Sequence, residues 1–156
     1  MPSTELDIAT AYHEAGHAVV ALVHDRPVHR VSVLPNQAHL GVCEFRKGVL
    51  RGSVDLVEQE ILISLAGMAA EARLTGHYDR AAAGRDLRHA RKLALQRATE
   101  KQLDRYERRM LSKVENLMND DAVWAAVESI AAELMKHGQI SGRAASHLYK
   151  QATREG

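Results

Sequence analysis

The chain has 156 residues and a formal net charge of +1, and 46% of its residues are hydrophobic while only 4% are aromatic. This length suits one folded domain with a packed core, and alanine and leucine dominate, which favours helix over strand. The single cysteine, Cys43, excludes an intrachain disulfide, and no apolar run approaches the roughly 20 residues that span a bilayer. The polar N-terminus is unlike a signal peptide, so we expect a soluble, cytoplasmic protein.

The first predicted helix runs from Thr4 to about His24, and "TELD" at its start offers a threonine cap three residues before an acid. Two predicted strands follow. "VHRVSVLP" at 28–35 alternates in period two with β-branched residues, and "LGVCEF" at 40–45 is a plausible antiparallel partner. We expect these strands to form a small sheet, in which "HRVSVL" offers an edge to an extended ligand.

The rest of the chain is predicted to be helical. Gly76 and Gly138 are typical of residues that end a helix. The apolar stripe of the long third segment breaks near Thr99–Gln102, which predicts a kink or two helices meeting there. The helical segments are 53–75, 84–117, 119–138 and 141–152. The expected fold class is mainly α, with a small antiparallel sheet near the first helix. We expect a single domain over residues 1–156, in which 1–76 and 84–156 are the two portions.

The stretch "ATAYHEAGHAVVALVHDR" contains the motif H-E-x-x-H. Positions i and i+4 share one helix face, so His13 and His17 can offer imidazole nitrogens to one zinc ion. Glu14 is placed to act as the general base for a metal-bound water. The expected number of chance occurrences of the motif in a chain of this composition is about 0.04. The predicted helix around the motif therefore matters as much as the motif itself.

A catalytic zinc also needs a third protein ligand. The candidates downstream are Glu71 in "GMAAEARL", Asp86 in "AGRDLRHA" and His89, which is one turn beyond Asp86. Spacing alone does not choose among these three residues.

Five blocks of sequence resemble, in the same order, the peptidase domain of the FtsH-type ATP-dependent zinc metalloproteases. They are "TAYHEAGHAVVAL", "VHRVSVLP", "LGV", "LAGMAAEARLTG" and "GRDLRHARKLA". The later segment "AVWAAVESIAAELMKHGQISG" resembles the C-terminal helical segment of that domain. The resemblance covers about residues 9–145, and five ordered blocks are far more specific than the zinc motif alone.

The resemblance implies a helical peptidase domain that hydrolyses peptide bonds with zinc. By position, it implies that His13, His17 and Asp86 bind the zinc and that Glu14 is the catalytic base. It also implies that Glu71 has a structural role or supports a ligand from behind. The same reasoning leaves His89 as a residue of the helix face or as a group that hydrogen-bonds near the zinc without binding it.

The sequence also departs from the family. The family carries an ATPase module ahead of the peptidase, and this chain contains no G-x-x-x-x-G-K-[ST] motif. The long insert that the family has after the aspartate helix is reduced to "QRATEKQLD", and Arg85 stands beside Asp86. We therefore expect a zinc metalloendopeptidase acting on unfolded or flexible polypeptides. Whether the chain forms a homo-oligomer, and whether an ATPase is supplied in trans, stays open.

Two alternatives compete with a peptidase. One is a catalytically weak or inactive binding or adaptor domain with the same fold, which the short insert favours and an intact Glu14 opposes. The other is nucleic-acid binding, because residues 80–113 contain eleven Lys and Arg against four Asp and Glu. A solvated helix face explains these charges better, or a preference for acidic substrates. Trp124 is interpreted as core of the C-terminal helices.

Overall fold

The computed structural model describes residues 5–34, 42–45 and 55–154, with side chains described for 8–34 and 55–154. This part of the chain is mainly helical with a small antiparallel sheet, which confirms the expected fold class. None of its helices combines the length and hydropathy needed to cross a bilayer. The elements are α1 (Glu5–Val23), β1 (Val28–Ser32), β2 (Val42–Phe45), α2 (Leu56–Thr75), α3 (Gly84–Ala94), α4 (Leu103–Met118), α5 (Asp121–His137), β3 (Gln139–Ser141) and α6 (Gly142–Arg154).

The ends of α2 and α5 follow local capping rules. The carboxylate of Asp55 accepts a hydrogen bond from the backbone N–H of Glu58 at 3.0 Å, and Asp120 does the same for Val123 at 3.0 Å. Gly76 and Gly138 end these helices with φ values of 91° and 79°, a backbone conformation that favours glycine. The glycine stops predicted from the sequence are therefore confirmed.

The long helical stretch predicted after Gly84 is two helices. α3 ends at Ala94, and the turns that follow lead into α4 at Leu103, so the break predicted near Thr99–Gln102 is confirmed. Within this connection the side-chain oxygen of Gln102 accepts a hydrogen bond from the backbone N–H of Thr99 at 3.2 Å. α4 therefore begins directly after the point where the spacing of the apolar stripe breaks.

The sheet has three strands in the order β2-β1-β3, and both pairings of β1 are antiparallel. Val31 of β1 lies opposite Cys43 on one side and Ile140 on the other. The expectation that "HRVSVL" offers a free edge is wrong, because β1 is the central strand. The strand β3 was not predicted, since three residues directly before a helix carry no periodic pattern. The turn predicted at "PNQA" lies outside the described residues.

The helix α1 is the centre of the core, and it packs most extensively on α2 and α5. Gly16 makes the α1–α2 contact close, because a Cβ at this position would lie 2.7 Å from the backbone oxygen of Ala66 and 2.7 Å from Cβ of Ala70. Trp124 of α5 packs on the ring of Tyr12 of α1, with ring centroids 5.6 Å apart. Trp124 therefore joins α5 to α1 and is only partly buried, instead of filling the space between the C-terminal helices.

We predict that Gly16→Ala destabilises the protein. Alanine is a better helix former than glycine by about 1 kcal/mol, but the new Cβ forces α1 and α2 apart, and overpacking costs typically about 1–3 kcal/mol. Urea unfolding followed by circular dichroism measures the difference. The matched control is Gly84→Ala, where the new Cβ meets only the flexible end of Arg88. An unchanged or higher free energy of unfolding for Gly16→Ala contradicts the close contact.

Candidate metal centre

The two histidines of α1 converge on one point. They are one helical turn apart, and Nε2 of His13 lies 3.1 Å from Nε2 of His17. The rings meet edge to face, with centroids 4.7 Å apart and an interplanar angle of 79°. The same-face arrangement expected from their spacing is therefore present in the structure.

Asp86 completes this group from the first turn of α3. Its Oδ2 lies 2.9 Å from Nε2 of His13 and 3.0 Å from Nε2 of His17. In the described part of the chain, these three residues form a group whose donor atoms are close enough to hold a metal ion together. Ligands at 2.0–2.1 Å from a tetrahedral zinc lie about 3.3 Å from one another, so the spacing and the two-nitrogen, one-carboxylate donor set both fit zinc.

The other ring nitrogens are fixed by acceptors behind the histidines. Nδ1 of His13 lies 2.9 Å from Oε2 of Glu71, and Nδ1 of His17 lies 2.6 Å from the backbone oxygen of Ile63. A carboxylate and a carbonyl oxygen can only accept, so both Nδ1 atoms carry hydrogen and donate. A neutral imidazole in this state has its lone pair on Nε2, where a metal would be bound.

The backbone of α2 forms the floor of the site at Gly67. A Cβ there would lie 2.6 Å from Nε2 of His13 and 2.6 Å from Nε2 of His17. No side chain larger than hydrogen fits between α2 and the two rings. The sequence gives a weak signal for this residue, since a mid-helix glycine is costly and stands in the block "LAGMAAEARLTG".

The electrostatics of the group favour a bound positive charge. Burial lowers the pKa of His13, but hydrogen bonds to Asp86 and Glu71 and the charge of Glu14 outweigh it and raise that pKa to about 10. For His17, burial lowers the pKa and the hydrogen bond to Asp86 raises it, and the net effect is a raised pKa. Burial raises the pKa of Asp86, but the hydrogen bonds from both histidines hold it well below its usual range. Without metal, protons supply the charge that the carboxylates require.

The remaining residues singled out in the sequence lie around this group. Glu14 follows His13 on α1 and is only 7% exposed, and its charge raises the pKa of both histidines. His89 is not part of the group, since its side chain is 53% exposed and its Nε2 lies 3.8 Å from a carboxylate oxygen of Glu60. Of the three candidates left open by spacing, Asp86 meets both Nε2 atoms and Glu71 lies behind His13.

Comparison with known proteins identifies a matching family and similar proteins. Residues 2–103 match the family model of peptidase family M41. The chain is 34% identical over 103 residues to "ATP-dependent zinc metalloprotease FtsH 4" of Sorangium cellulosum, which covers 63% of this chain and 16% of that protein. It is 38% identical over 96 residues to "ATP-dependent zinc metalloprotease FtsH" of Thermus thermophilus, covering 58% and 15%. The alignments therefore span about one sixth of the length of these relatives.

We predict that Gly67→Ala leaves the protein folded but lowers its affinity for zinc at least about tenfold. The new Cβ displaces both imidazoles, and a misplaced ligand loses most of its contribution to a site with fixed geometry. Zinc affinity is measured by competition with a chromophoric chelator, and the far-ultraviolet circular dichroism spectrum reports the fold. Gly84→Ala serves as the matched glycine substitution. Unchanged affinity in a folded Gly67→Ala protein contradicts the proposed floor.

We also predict that Glu71→Ala weakens zinc binding. Removing the acceptor frees the ring of His13 to rotate and makes its Nε2 less basic, and the loss of such a partner typically costs about 10–100-fold in metal affinity. The same competition assay measures the effect. The control is His89→Ala, which removes an imidazole from the neighbouring surface and should leave the affinity unchanged. Equal affinities for the two variants would mean that Glu71 does not support the site.

Proposed function

Because this chain belongs to peptidase family M41, we propose that it is a zinc-dependent metalloendopeptidase that hydrolyses peptide bonds of unfolded or flexible polypeptides. The observation that supports this best is the convergence of His13, His17 and Asp86, with donor atoms 2.9–3.1 Å apart. The buried Glu14 directly follows His13 on α1, and its charge acts on both histidines.

In this proposal His13, His17 and Asp86 hold the zinc. A bound zinc supplies Lewis acidity, which polarises a peptide carbonyl and makes a water molecule acidic near neutral pH. Glu14 accepts the proton of the attacking water and delivers it to the leaving amine. Glu71 keeps His13 in the orientation that turns its Nε2 toward His17 and Asp86. Gly67 leaves the space in which the two rings sit.

The burial of the group supports a flexible substrate. The side chains of His13 and His17 are 14% and 11% exposed, and that of Asp86 is 26% exposed. Because these side chains lie mostly below the surface, a peptide bond held in a folded domain reaches them only after local unfolding. An extended segment of a flexible tail or an unfolded chain reaches them without that step.

A binding or adaptor domain with little turnover is the second candidate. It is favoured by the short connection from α3 to α4, which replaces the longer insert of the proteins that this chain resembles. Glu14 argues against it, because a site that only binds metal has no use for a base beside its ligands.

We predict that Glu14→Gln abolishes hydrolysis and keeps the metal. Glutamine is nearly isosteric but cannot accept the proton, and the loss of a general base typically lowers the rate about 10²–10⁴-fold. Cleavage of unfolded, fluorescently labelled casein measures the activity, and atomic absorption measures zinc per chain.

Two comparisons complete this test. Wild type should lose activity with a chelator and regain it with added zinc, whereas Asp86→Ala should lose both zinc and activity. Absence of cleavage by zinc-loaded wild type supports the adaptor candidate. Turnover by Glu14→Gln at the wild-type rate overturns the proposed role of this residue.

A further inference from the structure

A cavity lies between the segment that joins α1 to β1 and one side of α6. Its volume is about 530 Å³, within the range of about 300–1,000 Å³ that is typical of small-molecule sites. Residues of 22–28 form one wall, and residues of 142–150 form the other. More than a hundred residues separate the two walls in the sequence, so tertiary packing creates the cavity.

The packing of α6 on β1 fixes the two walls relative to each other. α6 begins at Gly142, where a Cβ would lie 1.6 Å from the backbone oxygen of Val28. Directly before it, Ser141 of β3 lies opposite Arg30 of β1. A close backbone contact and a strand pairing therefore hold the start of α6 against β1. The cavity is thus formed before any ligand binds, as most small-molecule sites are.

The wall that α6 contributes is basic. Arg143, His147 and Lys150 line the cavity, together with the hydroxyl-bearing Ser146. Their spacing of three, four and seven residues places them on one side of the helix, over about 10 Å of its axis. α6 contains no acidic residue. The side of α6 at the cavity is therefore suited to an anion with more than one charged group.

Neighbouring acids do not neutralise this wall. In the described part of the chain, neither Arg143 nor Lys150 has an ion-pair partner. Glu133 belongs to α5, the helix on which α6 packs, and it lies 3.5 Å from Nζ of Lys136 and 3.5 Å from Nε2 of His137. The described residues therefore supply no counter-ion to the two cations that line the cavity.

The opposite wall is mixed in character. Leu22 and Pro27 are apolar, and the guanidinium of Arg26 is paired with Glu60 at 2.6 Å. Asp25 is exposed, and among the described residues it is the one acid that lines the cavity. Its carboxylate can accept hydrogen bonds from hydroxyl groups and repels anions. A ligand that suits both walls therefore has its anionic part on α6 and an uncharged part against 22–28.

The cavity is separate from the metal centre. Leu22 is five residues beyond His17, or about 7.5 Å along the axis of α1. It is nine residues beyond His13, which places it on the opposite side of the helix. The donor atoms of the metal centre come from α1 and α3, whereas the basic wall of the cavity belongs to α6.

We propose that this cavity binds a phosphate ester of about the size of a nucleotide, with its phosphates on α6 and its organic part against 22–28. The guanidinium of Arg143 presents paired N–H groups that match phosphate oxygens, and Lys150 and Ser146 supply a charge and a hydroxyl donor near it. A basic wall about 10 Å long suits a chain of phosphates better than a single one. This binding site goes beyond the proposed peptidase function and does not depend on it.

Isothermal titration calorimetry with uridine triphosphate (UTP) tests the site. In about 50 mM NaCl we expect a Kd below about 1 mM, and in about 500 mM NaCl the affinity should fall severalfold as salt screens the charges. Uridine, which lacks the phosphates, should bind at least about tenfold more weakly. Absence of UTP binding, or equal binding of uridine, overturns the inference.

Neutral variants locate the binding on α6. Arg143→Gln with Lys150→Gln removes two charged donors and should lower the affinity for UTP at least about tenfold. The matched control is Arg88→Gln with Lys92→Gln, which makes the same change of charge at exposed positions of α3 and should keep the wild-type affinity. Circular dichroism confirms that both proteins are folded. An equal loss in both double variants means that net charge alone attracts UTP, and it overturns the inference.

A further variant separates a cavity from a charged surface. Ser146→Phe fills space in the cavity without changing its charge, and it should also lower the affinity for UTP at least about tenfold. Wild-type affinity in this variant means that UTP contacts exposed cations only, and it overturns the inference.

Two more titrations identify where UTP binds and what the cavity prefers. Asp86→Ala, which the proposed function expects to lack zinc, should bind UTP as wild type does. Loss of UTP binding in Asp86→Ala places UTP at the metal centre and overturns the inference, but leaves the peptidase proposal intact. A peptide of six Glu residues that binds as tightly as UTP, and is weakened by the α6 variant, identifies an acidic polypeptide as the occupant and also overturns it.

Discussion

The close contact between α1 and α2 is the constraint on which the rest of the site depends. Gly16 lets the two helices approach until only hydrogen fits between α1 and the backbone of Ala66, and Gly67 gives the imidazoles of His13 and His17 their space against α2. The same contact brings the backbone oxygen of Ile63 and the carboxylate of Glu71 to the Nδ1 atoms. Helix packing thus fixes the ring orientations before any metal is considered.

The charges that act on the histidines come from three helices, with Glu14 on α1, Glu71 on α2 and Asp86 on α3. Asp86 and Glu71 approach His13 from α3 and α2, one at each ring nitrogen, at 2.9 Å in both cases. Burial disfavours every charged form here, yet the pKa of His13 is raised to about 10 because two carboxylates and Glu14 surround it. Positive charge at the centre of such a group is favourable, and protons or a metal ion can provide it.

Local patterns predicted the helices, their glycine ends and the shared face of His13 and His17, because each of these depends on residues a few positions apart. The roles of Glu71 and Asp86 could not be separated by spacing, since both carboxylates reach the same ring and only the packing of α2 and α3 decides which nitrogen each one meets. The strand β3 pairs with β1 across more than a hundred residues. Its three residues carry too little periodicity to predict that pairing, and β1 was therefore mistaken for an edge.

Two contacts with α4 help to hold α3 and the loop before it, although α3 packs more extensively on α2. The hydroxyl of Tyr78 donates a hydrogen bond to Glu115 of α4, which anchors the loop that precedes α3. Glu107 of α4 holds Arg91 near the other end of α3 at 2.9 Å. α3 is thus attached to α4 on both sides of the residue that faces the histidines. Together with the packing of α3 on α2, these contacts hold the helix that carries Asp86 beside the two histidines.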